Sequence, residues 1–158
     1  MIRPKMGFSF YQEDLPSVVL NSLAKQRNNS TFCDVILKVY SRQVKAHSNV
    51  LAAASPYFQS FFTQDIPRDF SQQSPQIIEI LIEGATFEKT LFENAVEDIV
   101  MFMYTGRIDM NTSYVQQILE LSKIMKLHQL VGFHDKLVAA KDKSCQEVLH
   151  SKLANPLQ

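Results

Sequence analysis

The spacing of apolar residues changes along this chain, and each change predicts an element. Gly7–Gln12 (GFSFYQ) alternates around Phe8 and Phe10, which predicts a short strand with both rings on one face. From Leu15 the spacing turns helical, through Val18, Val19 and Leu23, and Asn28-Asn29-Ser30 breaks it after Arg27. Asp14 can cap that helix, and Pro16 falls in its first turn, where a missing N–H costs little. Val35–Tyr40 (VILKVY) predicts a buried strand, Ser41-Arg42-Gln43 a turn, and Val44–Ala46 a return strand. A helical segment over Asn49–Ala54 then has Ser48 as its expected cap. A second short helix opens at Ser55-Pro56 and carries Tyr57, Phe58, Phe61 and Phe62.

Thr63–Gln76 is polar, holds Pro67 and Pro75, and predicts a loop. Ile77–Ile82 (IIEILI) predicts another buried strand, ended by Glu83-Gly84. Val96, Ile99, Val100 and Met103 predict a helix over Glu93–Tyr104, with Gly106 suited to its C-terminal end. Ile108–Met110 is a short extended piece. Ser113–Gln116 has the form of a capping box, ahead of a helix carrying Val115, Ile118, Leu119, Leu121, Met125 and Leu127. A further short helix is expected over Val131–Ala140, and apolar content thins from Lys141. The order predicts an α+β fold with one small mixed β-sheet flanked by a cluster of short α-helices. It divides into an extension at 1–13, one domain over 14–140, and a tail or linker at 141–158.

Two features exceed what such a core needs. A lone strand at 7–12 must pair with a sheet edge, its own or another subunit's. The first helix also has a generous apolar face for a near-terminal element, which leaves both core packing and partner contact open.

Bulk composition narrows the function. The 158 residues, 46% apolar and 20% charged, suffice for one domain with a core. Lys+Arg and Asp+Glu are both 16, so the basic excess of a nucleic-acid-binding surface is absent. Cys33 and Cys145 form no disulfide framework and suit a reducing interior. No apolar run approaches the roughly 18 residues of a membrane span, and no signal-peptide core opens the chain. A nuclear or cytoplasmic protein is expected.

No motif in the sequence points to catalysis. The glycines at 7, 84, 106 and 132 form no phosphate-binding loop, and no G-x-S-x-G elbow is present. Cys33 reads as a small buried apolar residue beside a core strand. His134, Cys145 and His150 have no strong zinc spacing and lack a fourth ligand. His47, at a strand-to-helix junction, reads as a structural histidine bonded to local backbone or a nearby carboxylate. Acidic pairs such as Glu97-Asp98 read as solvated helix surface. Neither an enzyme nor a cofactor is expected.

The segment Phe32–Phe62 resembles the signature of the BTB/POZ family. Cys33-Asp34-Val35, Ala46-His47, Val50-Leu51-Ala52 and Ser55-Pro56-Tyr57-Phe58 follow its pattern in order, and Phe102-Met103-Tyr104-Thr105-Gly106 resembles its F-x-Y-T-G block. The resemblance runs from about Leu15 to Leu137. It implies a BTB/POZ fold and a homodimer in which an N-terminal strand crosses to the partner. That role would bury Phe8, Phe10, Leu15, Val18, Val19 and Leu23 between subunits. The most similar branch is the BTB domain of zinc-finger transcription regulators. In that branch a groove between subunits takes corepressor peptides, here through Ser22, Lys25, Asn29, Ala53 and Tyr57.

The resemblance also implies a structural pocket around Asp34, His47 and Ser48, with backbone amides or His47 expected to bond Asp34. Many members carry Lys or Arg where this chain has Ser48, so the usual Asp-plus-basic pocket is altered. The stretch around Glu83–Asn94 is longer than usual. Other BTB domains are possible partners. The alternative roles are substrate adaptor for a cullin-3 ubiquitin ligase, whose apolar-x-Glu feature is not evident in Thr63–Gln76, and architectural self-association scaffold.

Overall fold

The computed structural model describes residues 10–64, 74–82, 89–110, 112–136 and 138–139. Helix α1 (Leu15–Asn28) leads to the hairpin β1 (Val35–Val39) and β2 (Arg42–Ala46). Two short helices follow, α2 (Ser48–Ala54) and α3 (Pro56–Thr63), then β3 (Gln76–Glu79). The long α4 (Lys89–Thr105) and α5 (Val115–Ile124) come next, and residues 128–136 form a last helix, α6. The sheet order is β2-β1-β3. β1 is antiparallel to β2 and parallel to β3, so the small sheet is mixed, as the element order predicts.

The core lies between the inner face of the sheet and α4. Val35, Leu37 and Val39 alternate inward from β1, met by Val44 and Ala46 of β2 and by Ile78 and Ile80. Opposite them, α4 buries Phe92, Ala95, Val96, Ile99, Val100, Met103 and Tyr104. A helix buried on so much of its circumference is central to a fold, and α1, α2, α5 and the sheet all pack on it. Gly106, at φ +67°, ends α4 in a left-handed turn that favours glycine, and its N–H donates to the Phe102 carbonyl at 2.8 Å.

Several local expectations are corrected. The hairpin turns at Tyr40-Ser41, and Arg42 and Gln43 already belong to β2, because the register pairs Val39 with Arg42. β3 is not buried on both sides. Ile78 and Ile80 face the core, whereas Ile77 is 60% exposed, since a helix covers only the inner face of the sheet. Ser48 is the first residue of α2 and His47 its cap position. Neither Asp14 nor the Ser113 box caps through a side chain; the cap position of α5 is Tyr114. Ile108–Met110 joins no ladder among the described residues. Helix α4 begins at Lys89, ahead of the predicted start at Glu93, and α6 begins at 128 instead of 131. Of the α3 aromatics only Phe58 is fully buried, with Tyr57, Phe61 and Phe62 half-buried around it.

The Ser55-Pro56 expectation holds with an added role. Ser55 Oγ accepts the Phe58 N–H at 3.3 Å and donates to the Met125 carbonyl at 2.6 Å. One fully buried hydroxyl therefore starts α3 and satisfies the end of α5. Ser55→Ala loses the cap and leaves a buried carbonyl unpaired. It is expected to cost about 1–3 kcal/mol, read as a lower urea midpoint with an unchanged slope.

Candidate interaction surface

Among the described residues, helix α1 is buried at one end only. Residues 15–22 are all exposed, and burial begins with Leu23, Ala24, Gln26 and Arg27 in the last turns. Four of the eight exposed positions are large aliphatics: Leu15 at 49%, Val18 and Val19 at 47%, and Leu20 at 41%. Pro16, Ser17, Asn21, Ser22 and the two valines are no better than middling helix formers, so propensity alone does not sustain these turns. An isolated helix of this length is marginal in water and needs its apolar face covered. Tyr11, just ahead of α1, is 83% exposed.

A groove of about 360 Å³ continues this apolar surface between α1 and α2. Leu20 and Leu23 form one wall, Asn49, Val50, Ala53 and Ala54 the other, and Met103 of α4 lies at its base. The small residues of α2 leave the space open.

At the last turn of α1 a set of polar groups helps to fix the angle of the helix. Arg27 is 6% exposed, and its Nε donates to the Lys45 carbonyl of β2 at 3.1 Å. Its guanidinium pairs with Glu97 of α4 and lies 6.0 Å from the centre of the Tyr104 ring. Arg42 reaches the other Glu97 oxygen at 3.0 Å. Burial alone would raise the Glu97 carboxyl. The hydrogen bonds and charges of Arg27 and Arg42 outweigh it and hold the group below its usual range.

The Tyr104 hydroxyl accepts the His47 backbone N–H and contacts His47 Nδ1, both at 2.8 Å. His47 Nε2 lies 2.9 Å from the Thr31 carbonyl, which can only accept, so Nε2 carries the proton and Nδ1 accepts from Tyr104. Burial, foremost, pushes the Tyr104 phenol up to about 12. Beside this network Cys33 Sγ sits 3.9 Å from His47 Nε2, half-buried, and desolvation raises its thiol. A thiol shifted that way is a poorer nucleophile, in keeping with a packing role. Asp34 is exposed, and its carboxylate accepts the Ser48 N–H at 2.7 Å and the Ser48 hydroxyl at 2.5 Å. It thereby caps α2 from the connection ahead of β1.

The family profile described as BTB/POZ domain matches residues 23–141. This chain belongs to the BTB/POZ family. BTB/POZ domains are protein–protein interaction modules and not a known enzyme fold. Mouse Kelch-like protein 36 is 30% identical over 124 residues, covering 78% of this chain and 18% of that protein. Chicken zinc finger and BTB domain-containing protein 7A is 34% identical over 114 residues, covering 72% of this chain and 19% of that protein. The chain thus spans less than a fifth of these relatives. The solved BTB domain of zebrafish PATZ1 superposes with a TM-score of 0.67 at 23% identity, covering 85% of this chain and 99% of that one. That likeness supports the α+β BTB fold.

In this BTB domain the expected interface residues fall in three places. Phe8 lies outside the described residues. Phe10 is exposed, and Phe10–Gln12 is irregular in the single chain. Leu15, Val18 and Val19 lie on the exposed face of α1, each about half exposed, while Leu23 is half-buried in the groove wall. Among the expected groove residues only Ala53 lines the α1–α2 groove. The Ser22 hydroxyl folds back on the Val18 carbonyl at 2.9 Å, Lys25 and Asn29 are exposed at the far end of α1, and Tyr57 packs edge-on against Phe58.

His47 bonds local backbone as expected, but its other partner is a tyrosine. Asp34 is bonded by a backbone amide and by Ser48, not by His47. Glu97-Asp98 is not simply solvated surface: Glu97 holds two arginines, and Asp98 accepts the Tyr114 hydroxyl at 2.7 Å. Cys145 and His150 lie outside the described residues. Sequence reading misses Leu20, Asn49, Ala54 and Met103 of the groove and the whole Arg27–Glu97–Tyr104 set. Leu20 is adjacent to the helical pattern and could have been included. Arg27 and Glu97 lie 70 positions apart with nothing in the sequence to link them.

Glu97→Gln is expected to lower stability at neutral pH by about 1–3 kcal/mol, less than a fully buried pair because Glu97 is a third exposed. The Glu97 carboxyl is depressed in the fold, so its contribution is present above the unfolded-state value and is lost as pH falls through the folded one. The difference between wild type and variant should therefore shrink towards acid, as measured by urea unfolding at stepped pH.

Proposed function

We propose that this BTB/POZ domain works as a two-fold homodimer built on the open face of α1, and that it is the partner-recruiting segment of a zinc-finger transcription regulator. The observation that carries the reading is the run 15–22, two helical turns that no part of the same chain covers among the described residues. A second copy related by a two-fold axis would lay Leu15, Val18, Val19 and Leu20 against their own equivalents, which suits a closed dimer. The N-terminal strand would cross to the partner and carry Phe8 and Phe10 with it. Two chains joined this way would present their α1–α2 grooves side by side to corepressor-type peptides. The zero formal charge fits a segment that leaves DNA contact to another part of a longer protein. Nuclear placement belongs to this reading.

A second reading, cullin-3 adaptor, draws on the similarity to Kelch-like protein 36, and cytoplasmic placement belongs to it.

In light scattering the wild type should run at twice the 18.1 kDa chain mass. The Val18→Glu/Val19→Glu variant should run at one chain mass with unchanged circular dichroism, having lost affinity by about a hundredfold or more. A wild type that stays monomeric at high concentration would reject the dimer. Capture of corepressor peptides without cullin-3 supports the regulator role, whereas capture of cullin-3 alone moves the assignment to the second reading.

A further inference from the structure

The solvent face of the sheet has an order of its own. Its inner face is closed by α4, whereas the outer face carries the half-buried Ile36 and Lys38 of β1, with Ile77 and Glu79 of β3 on one side and the exposed Lys45 and Gln43 of β2 on the other. The parallel register sets Ile36 beside Ile77 and Lys38 beside Glu79, with Lys38 Nζ 3.0 Å from Glu79 Oε1. Ile77 is more than half exposed, and Leu81, just past β3, is 77% exposed. Two aliphatic positions side by side, with a cation and an anion side by side in the next row, form a patch with a defined symmetry.

We propose that this outer face is a second docking surface for another copy of the same chain, separate from the α1 face. The occupant follows from the register. Consider a two-fold axis parallel to the strands and midway between β1 and β3, lying between two stacked sheets. It places β1 of one copy over β3 of the other at the same height. Ile36 then meets the partner's Ile77, Ile77 meets the partner's Ile36, and Lys38 and Glu79 each meet the opposite charge. The face is complementary to itself in both shape class and charge. Sheets stacked at the usual spacing of about 10 Å bring such side chains into contact, and over only two rows the natural twist causes little misalignment. The chain's zero formal charge places no overall repulsion against self-association. So small a patch gives a weak contact alone. Its effect grows when two such faces are carried by one dimer, which converts a weak contact into a chain of linked dimers.

The test uses the full 158-residue chain in sedimentation velocity at concentrations up to about 1 mM, where a weak contact registers. The wild type is expected to show a concentration-dependent step beyond the species formed through α1. Lys38→Glu and Glu79→Lys should each weaken that step by about tenfold, because each places like charges across the axis. An equimolar mixture of the two variants should regain it. In a mixed pair, the carboxylate introduced at position 38 of one chain faces the ammonium introduced at position 79 of the other. The ion pair within each separate chain stays broken in that mixture, so a purely internal role for Lys38 and Glu79 could not restore anything. Absence of the second step in the wild type, single variants that assemble like wild type, or a mixture that fails to regain assembly would each overturn the proposal. In a Val18→Glu/Val19→Glu background the sheet contact should survive as a monomer–dimer step, so its failure is distinguishable from failure of the α1 dimer.

Discussion

The buried guanidinium of Arg27 is the point on which the interaction surface depends. A charge taken this far out of water is costly, and it is tolerated because each side of it meets a partner. The Lys45 carbonyl, the Glu97 carboxylate and the Tyr104 ring come from β2 and α4, so one side chain ties three elements together. Tyr104 extends the set to His47, whose backbone N–H and ring both meet the phenol oxygen, and His47 extends it to the Thr31 carbonyl. The chain from the end of α1 through β1 and β2 to the start of α2 is therefore oriented by one connected group of polar atoms. A network in which every member is satisfied holds one geometry more firmly than apolar contacts of the same area, because each bond has a direction.

That anchoring explains why the exposed half of α1 becomes a surface and not a core element. The last turns of the helix are fixed, so the first two turns project at a set angle with little intrinsic support. Their stability depends on burial that the described part of the single chain does not provide, which places them at the low end of local stability. The α1–α2 groove follows from the same arrangement. Arg27 and Leu23 set the position of one wall, and Ala53 and Ala54 are too small to fill the space behind it. Asp34 holds the start of α2, the other wall, by accepting from the Ser48 amide and hydroxyl.

Much of the fold was legible because local patterns and tertiary burial agree. The inward alternation of β1, the apolar stripe of α4, the Ser55-Pro56 start of α3 and Gly106 at the end of α4 each require only near neighbours to be understood. The motif block Phe32–Phe62 was legible for the same reason, since its strand, turn and helix signals follow one another without interruption. The errors lie where distant residues meet. IIEILI reads as a strand buried on both faces because two-sided burial and an open apolar face have the same composition. Ser48 and Ser113 have the chemistry of helix caps, but one is taken by Asp34 and the other is displaced by one position at the start of α5. Glu97-Asp98 reads as solvated surface because its partners, Arg27, Arg42 and Tyr114, are remote in sequence.

By itself the sequence determined the period of each segment, the α+β order, the family and the absence of any catalytic motif, all of which depend on residue type and spacing. It also marked the first helix as more apolar than a near-terminal helix needs. Only the tertiary structure decided which side of that helix is covered, that a groove lies beside it, and that Arg27 joins Leu23 and Ala24 in fixing its last turns. It alone aligned Ile36 with Ile77 and Lys38 with Glu79 on the outer face of the sheet. The reason is physical: spacing along a chain fixes which residues share a face, whereas exposure, pairing and register depend on which elements close over that face.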